Sequence, residues 1–152
     1  MNRSVIYSDT SLERMAESLE TYYLNNNVYR SIIFCKDDEE TTQLAKVLRK
    51  YNHTVCTMCN DEIYDDRHVL MRKMKEFHKT SYRIIMISYP VVKHVVAELE
   101  VYVLPEQNLV AFGNFDETNE HDNASVKKIR NWLIDARTRG FITKPDCEII
   151  FL

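Results

Sequence analysis

Glycine is nearly absent from this chain. Only two glycines, Gly113 and Gly140, occur in 152 residues, where average usage predicts about ten. Loops that wrap around phosphate groups need glycine, because their backbone adopts positive φ angles and approaches the ligand closely. The sequence therefore contains neither a GxxxxGK loop nor a GxGxxG loop, and we expect no phosphate-binding loop of either type.

An excess of basic residues is also missing. The 20 Lys and Arg are outnumbered by 23 Asp and Glu, for a formal net charge of −3. Nucleic-acid-binding domains usually carry a basic excess, because neutralising phosphates dominates their affinity. RNA binding is therefore expected to be weak and confined to a local basic face.

Long apolar runs are lacking too. No apolar stretch approaches 18 residues, so we expect no membrane span and no membrane partner. Residues 1–9 lack the apolar core of a signal peptide. Two of the four cysteines, Cys35 and Cys56, fall in apolar runs that are typical of buried, reduced thiols. These features predict a cytoplasmic location.

What the chain does have is the composition of an ordinary globular domain, with 45% hydrophobic and 28% charged residues. Its length fits one domain, and we predict a single domain over residues 1–152 with residues 1–9 as a flexible tail. Because the sequence stops within or just after a predicted strand, we expect the domain to come from a longer protein.

Apolar runs and apolar spacing predict alternating strands and helices. Short continuous apolar runs favour buried strands at residues 31–35, 54–58, 83–88, 109–112 and 148–152. Helical spacing predicts helices at residues 10–22, beginning with a capping box at Thr10, and at residues 41–51, 65–77, 91–99 and 124–139. This alternation predicts an α/β fold, with a mostly parallel sheet, right-handed crossovers and helices on both faces.

Several segments match one known pattern in the same order. The run IIFC at residues 32–35 is similar to helicase motif IV, RIIMIS at residues 83–88 to the start of motif V, and NFD at residues 114–116 to a conserved NYD. Together, over residues 10–152, they resemble the C-terminal RecA-like lobe of DEAD-box RNA helicases. The resemblance implies a RecA-like, three-layer α/β domain.

Departures from that pattern predict that the lobe is degenerate. In motif V the sequence KHVV, residues 93–96, replaces RGLD, so Val96 stands where a nucleotide-facing carboxylate is expected. In motif VI, Arg137 and Arg139 are a remnant without the accompanying glycines. An arginine finger accelerates phosphoryl transfer by roughly 10³–10⁵-fold. The resemblance therefore implies no catalytic residue, no cofactor and no ATP hydrolysis by this chain alone, and leaves the longer protein's activity open.

A degenerate lobe of this kind, near a protein's start and without its partner lobe, resembles in architecture the Yb-type Tudor-domain helicase-like proteins of the insect piRNA pathway. That resemblance implies a scaffold in a cytoplasmic, perinuclear ribonucleoprotein granule. Its partner would be a second copy of itself or another granule protein.

A stripe of apolar residues follows the motif V segment. Their spacing places them on one broad face of a helix, where the family has a polar segment facing ATP and RNA; they are Val91, Val92, Val95, Val96 and Leu99. One interpretation is a surface converted to protein contact. The other is a helix that simply covers the sheet, since most apolar stripes lie in cores.

Three residues occupy positions that contact RNA in the family: Asp61, Arg67 and Ser88. Each also has an ordinary alternative: a helix cap or strand end for Asp61 and Ser88, and an exposed ion pair for Arg67. Cys56 and Cys59 have the spacing of half a zinc site, but on a strand they point to opposite faces. We therefore predict no metal site.

Two functions follow as hypotheses. The first is a catalytically inactive module that binds protein or itself in an RNA-related assembly. The second is an RNA-binding lobe of an ATP-dependent RNA helicase whose RecA-like core lies elsewhere in the parent protein. An unrelated α/β enzyme with a cysteine or histidine nucleophile is disfavoured, because no cysteine is followed by the small turn residues that would expose it and because Cys35 is expected to be buried.

Overall fold

Five parallel strands form the centre of the protein. The computed structural model describes residues 10–26, 28, 30–59, 72–73, 83–99, 107–114, 131 and 148–152, with only the backbone at 93 and 96–98. The strands are β1 (Ser31–Cys35), β2 (Val55–Met58), β3 (Ile84–Ser88), β4 (Leu109–Phe112) and β5 (Glu148–Phe151). They are ordered β2-β3-β1-β4-β5, and every pair is parallel. The predicted parallel sheet is confirmed.

The central strand β1 determines how the two halves of the sheet meet. Ser31 lies opposite Ile84 of β3 on one side and opposite Leu109 of β4 on the other. All five side chains of β1 are buried, which explains why its sequence is a continuous apolar run instead of an alternating one.

Two helices cover one face of the sheet. Helix α1 (Leu12–Asn25) and helix α2 (Asp38–Lys50) pack on each other and on the side of β1 that carries Ile33 and Cys35. Asp37 caps α2 and accepts a hydrogen bond from the Glu40 amide at 2.8 Å. The cap of α1 is Ser11 and not the predicted Thr10, because the Ser11 hydroxyl is the one that accepts from Arg14 N.

The opposite face carries an aromatic layer. Phe34 of β1 stacks on Phe112 of β4 with ring centroids 5.1 Å apart, and Phe112 stacks in turn on Phe151 of β5 at 5.2 Å. Tyr89 is the first residue of helix α3 (Tyr89–Glu98), and its ring centroid lies 6.4 Å from that of Phe34. The three layers are therefore helices, sheet, and a second apolar layer to which α3 contributes.

Helix α3 begins earlier than predicted and is interrupted. It starts at Tyr89, directly after β3, and Pro90 fits there because the first turn of a helix needs no backbone donor. Val95 has non-helical angles, φ −133° and ψ 16°, which produce a kink. None of the described helices is long and apolar enough to cross a membrane. The helices predicted at 65–77 and 124–139 lie outside the described residues except for 72–73 and 131.

A polar cluster ties α1 to the amino ends of the strands. The buried His53 pairs with Glu20 of α1 through Nε2, and its Nδ1 lies 3.4 Å from the Arg83 guanidinium. Arg83 also lies over the Tyr23 ring at 4.7 Å, and the Tyr23 hydroxyl bonds Ser31 at 2.7 Å. Burial raises the pKa of Tyr23 to about 12, so this phenol stays neutral and hydrogen-bonded at neutral pH.

The packing of α2 on the sheet predicts the result of a paired substitution. Leu44 is fully buried in the core, whereas Leu24 at the end of α1 is 83% exposed. Leu44→Ala should lower the free energy of unfolding by about 2–5 kcal/mol, because it removes buried methyl groups and leaves a cavity. Leu24→Ala should change it by less than about 0.5 kcal/mol. Urea unfolding of both variants tests this, and equal losses would contradict the described packing.

Candidate functional site

The strand order defines where a ligand site is expected. From β1 the chain crosses to β2 on one side of the sheet, whereas β4 and β5 lie on the other side. The carboxyl ends of β1 and β4 therefore flank a topological switch point. In open parallel sheets, ligands bind in the crevice at such a point. The segments that follow these two strands carry Lys36 and Asp37, and Gly113 and Asn114.

A depression of about 320 Å³ lies at this switch point. Helix α1 contributes its first residues, the β1–α2 connection and the first turns of α2 contribute charged residues, and Asn114 closes one side. Its lining is Thr10, Ser11, Leu12, Met15, Lys36, Asp37, Glu39, Glu40, Gln43 and Asn114. One lysine faces three carboxyl side chains in this lining, so the depression favours cationic or neutral groups over phosphate.

The amino end of α2 points into the same region and is occupied by the protein's own carboxylates. A helix amino end attracts anions, because its free backbone amides and its dipole both favour negative charge. Here Asp37 takes the cap position, and Asp38, Glu39 and Glu40 fill the first turn. An external phosphate would have to compete with Asp37 for the Glu40 amide, and it would meet the three neighbouring carboxylates.

Asn114 connects three segments at the site. Its side-chain oxygen accepts from the Thr10 amide at 2.7 Å, and its side-chain nitrogen donates to the Thr10 carbonyl at 3.2 Å and to Glu40 Oε2 at 2.8 Å. Its φ of 45° is a left-handed conformation, which asparagine tolerates better than most residues. Asn114 thus fastens the start of α1 and the first turn of α2 to the end of β4.

Glu40 is the buried carboxyl group of the site. It is 6% exposed, and Oε1 also accepts from Lys36 N at 3.4 Å. Burial raises the pKa of Glu40 above its ordinary value of 4.5, against the opposing effects of the hydrogen bonds from Asn114 and Lys36. Both carboxyl oxygens of Glu40 therefore accept hydrogen bonds from groups of the protein itself.

Gly113 lies where the end of β4 closely approaches Glu40 and the end of β1. A Cβ at position 113 would lie 2.9 Å from Glu40 Oε1 and 3.2 Å from the Phe34 carbonyl oxygen. The Gly113 amide donates to that carbonyl at 2.7 Å, and its own carbonyl accepts from the Tyr89 hydroxyl at 2.9 Å. One of the chain's two glycines is thus used for packing at the switch point.

Ser88, at the end of β3, was predicted as a residual RNA contact. The structure places it in the interior, fully buried, with its hydroxyl donating to Asp38 Oδ1 at 2.8 Å. This prediction is corrected: the hydroxyl supports the first turn of α2 and is not accessible to RNA. The other two predicted RNA contacts, Asp61 and Arg67, lie outside the described residues.

The apolar stripe of α3 is corrected in the same way. Four of its members are buried within the chain: Val91 and Val95 at 0%, Leu99 at 1% and Val92 at 4% exposure. They do not form a surface that a partner could contact, and a helix covering the sheet accounts for their burial. The Val96 side chain and the motif VI remnant, Arg137 and Arg139, lie outside what the structure describes.

The cysteines do not form a reactive or metal-binding centre among the described residues. Burial, and secondarily the carboxylate of Glu40, raise the pKa of the Cys35 thiol well above its ordinary value. The hydroxyl of Thr42 lies 3.9 Å from Cys59 Sγ. Within the described ranges, no group of three or more His, Cys, Asp or Glu is placed to hold a metal ion.

Two residues of the site, Asn114 and Glu40, were not predicted as functional. Asn114 lies two residues after a buried strand, which was a usable signal, since polar residues after parallel strands meet at one edge of the sheet. Glu40 lies in an acidic first helical turn, which is an ordinary feature of helices. Its contact with Asn114 joins residues 74 positions apart, and no local pattern contains that information.

Comparison with solved structures identifies the fold. The Pyrococcus furiosus Hef helicase domain matches with a TM-score of 0.51 and 15% identity, over 93% of this chain and 24% of that one. The C-terminal part of the Fun30 ATPase domain matches with a TM-score of 0.54 and 14% identity, over 92% of this chain and 39% of that one. This chain therefore spans less than half of either neighbour. At these identities the likeness shows a RecA-like α/β fold of the helicase type.

Comparison of the sequence with known families and curated proteins finds no match. No protein-family model matches the chain, and no curated protein matches it.

The burial of Glu40 predicts a pH-dependent difference in stability. Because the folded-state pKa is raised, the stability contribution of protonated Glu40 is fully present below pH 4.5 and is lost as pH rises through the folded-state value. In the Glu40→Gln variant this side chain stays neutral at every pH, so the variant does not lose stability in this way. The free energy of unfolding of the variant, relative to that of wild type, should therefore increase between about pH 4 and about pH 7.

Urea unfolding at both pH values measures this difference. Glu39→Gln is the matched control, because it removes the same charge from an exposed position in the same turn. A Glu40→Gln difference that stays constant with pH, or that Glu39→Gln reproduces, would contradict the buried carboxyl group.

Proposed function

We propose that this domain is a catalytically inactive, helicase C-like lobe that works by binding another protein or a second copy of itself. The observation that carries the proposal is the chemistry of the switch point. Asp37, Glu39 and Glu40 line the depression where a nucleotide would be expected in such a sheet. There, the Asn114 side chain donates to the Glu40 carboxylate in the first turn of α2, so both groups already have a hydrogen-bond partner.

The charges around the depression support the proposal that the domain does not hydrolyse nucleotides. A nucleotide triphosphate brings several negative charges, and each would meet carboxylates instead of the backbone amides and cations that hold phosphates in NTPases. Lys36 is the single basic side chain in the described lining. The replacement of the motif V carboxylate by Val96 points the same way.

The resemblance described above suggests the setting of this proposal. An inactive lobe of this type would act in an RNA-related assembly, with RNA silencing in a cytoplasmic granule as the specific hypothesis. Within that assembly the domain would contribute a rigid surface and no turnover.

The surface for a partner must differ from the α3 stripe, which is buried. In the described part of the chain, the large apolar side chains that are exposed are Leu24 at 83%, Phe151 at 50% and Tyr51 at 49%. Leu24 and Tyr51 end α1 and α2, both near the amino ends of the strands. We propose that a partner contacts this side of the domain, opposite the acidic depression.

Sedimentation velocity over a wide concentration range tests self-association. We expect the mass to rise with concentration, and Leu24→Glu or Tyr51→Glu to shift that rise to higher concentration, because each places a charge on an exposed apolar contact. Lys46→Glu, on the exposed face of α2, is the control. A strict monomer at all concentrations would contradict self-association and leave only binding to a different protein.

An RNA-binding lobe that assists an ATPase is the second candidate, and it makes opposite predictions. Fluorescence anisotropy with single-stranded RNA and with a labelled ATP analogue, at about 50 mM salt where phosphate contacts are strongest, separates the two. We expect no saturable binding of either probe. Saturable binding that Lys36→Met abolishes and Lys46→Met preserves would place nucleotide in the depression and contradict the inactive-lobe proposal.

A further inference from the structure

Three residues from distant segments meet at the rim of the switch-point depression. The Asn114 side-chain amide bonds both backbone groups of Thr10, with its oxygen 2.7 Å from the Thr10 nitrogen and its nitrogen 3.2 Å from the Thr10 oxygen. The same side-chain nitrogen donates to Glu40 Oε2 at 2.8 Å. One side chain therefore links the residue that precedes the cap of α1 to a buried carboxyl group in the first turn of α2.

These partners fix the orientation of the Asn114 amide. The Thr10 N–H needs an acceptor and the Thr10 carbonyl needs a donor, so the side-chain oxygen and nitrogen each have one suitable position. In that orientation the nitrogen, and not the oxygen, faces Glu40. The carboxyl group must therefore accept a hydrogen bond, and an ionised carboxylate is a better acceptor than a protonated one.

The charge on Glu40 and its hydrogen bond to Asn114 reinforce each other. Burial raises the pKa of Glu40 above its ordinary value of 4.5, while the hydrogen bond from Asn114 acts in the opposite direction by favouring the ionised form. Because this bond favours the charge, the charge must favour the bond by the same free energy. A hydrogen bond to an ionised acceptor is roughly twice as strong as a neutral one. Protonation of Glu40 therefore weakens the contact that orients Asn114.

Other titratable groups face Glu40 from the end of β1 and from the start of α2. The Lys36 ammonium favours the ionised form of Glu40, and the Asp37 carboxylate opposes it. Burial, and secondarily Glu40, raise the pKa of the Cys35 thiol well above its ordinary value, so this thiol stays neutral. Glu39 lines the depression from an exposed position. The residues that α1 and the end of β4 contribute to the lining carry no charge.

Helix α1 is anchored beyond this contact. Met15 and Leu19 are fully buried in the core, so the helix stays packed on the sheet when the contact at Thr10 breaks. Thr10 and Ser11 line the depression, and this short start of the helix is the part that the Asn114 contact holds in place. Loss of the contact therefore widens the depression without unfolding α1.

We propose that Thr10, Asn114 and Glu40 form a pH-sensitive latch at the switch point. In the closed latch, the ionised Glu40 carboxylate holds the Asn114 amide against Thr10. Protonation of the carboxylate weakens this hold and releases the start of α1 from the rim of the depression. The latch therefore opens as pH falls and closes as pH rises.

An NMR titration follows both ends of the latch in one sample. The carboxyl ¹³C shift of Glu40 reports its ionisation, and the hydrogen-exchange protection factor of the Thr10 amide reports the closed latch. We expect that protection factor to fall about fivefold as Glu40 takes up its proton, with the same midpoint, because the charged hydrogen bond is the stronger one. The Leu19 amide, in the middle of α1, should stay protected. Thr10 protection that does not follow the Glu40 signal would overturn the proposal.

Glu40→Gln tests the latch without a change of pH. Glutamine keeps the shape and an acceptor oxygen but carries no charge, so Thr10 protection should have its low value even at about pH 8, where carboxyl groups are ordinarily ionised, and should not vary with pH. Glu39→Gln removes the same charge from an exposed position in the same turn and should behave like wild type. Wild-type protection of Thr10 in Glu40→Gln would show that the carboxylate does not hold the latch.

Asn114→Gly removes the linking side chain, and glycine readily adopts the φ of 45° at this position. Thr10 protection should be the lowest of the series at every pH, and the pKa of Glu40 should rise further, because the hydrogen bond that favours its ionised form is lost. An unchanged titration of Glu40 would contradict the latch, and if this variant does not fold, the two glutamine variants decide. The latch does not depend on the proposed function, which concerns a partner at the ends of α1 and α2.

Discussion

The burial of strand β1 on both of its faces is the constraint on which the rest of the structure depends. Its five side chains are inaccessible, so one face must be covered by α1 and α2 and the other by the aromatic layer around Phe34. Its position between β3 and β4 also creates the switch point at its carboxyl end. The candidate site therefore lies where it does because β1 is central.

At that carboxyl end, polar side chains from several segments contact one another. Asn114 bonds Thr10 and Glu40, the Ser88 hydroxyl bonds Asp38, and Asp37 caps α2. These bonds join the start of α1, the first turn of α2 and the ends of β3 and β4.

Local patterns were sufficient to locate the five strands. The run LVAF predicted β4 at its observed limits, Leu109–Phe112, because a strand buried on both faces reads as a continuous apolar stretch. The same reasoning failed for function along α3: apolar spacing identifies a face, but cannot say whether the sheet or a partner covers it. The kink at Val95 and the choice of Ser11 as cap were also not predicted.

By itself, the sequence determined the strands, the α/β class and the lack of a glycine-rich phosphate loop, because these follow from residue type and from spacing along the chain. Only the tertiary structure decided that Ser88, Val91, Val92 and Val95 are interior and that Asn114 bonds Glu40. The physical reason is distance along the chain. Burial and hydrogen-bond partners are set by segments that meet only after folding, and a side chain's chemistry is decided by what surrounds it there.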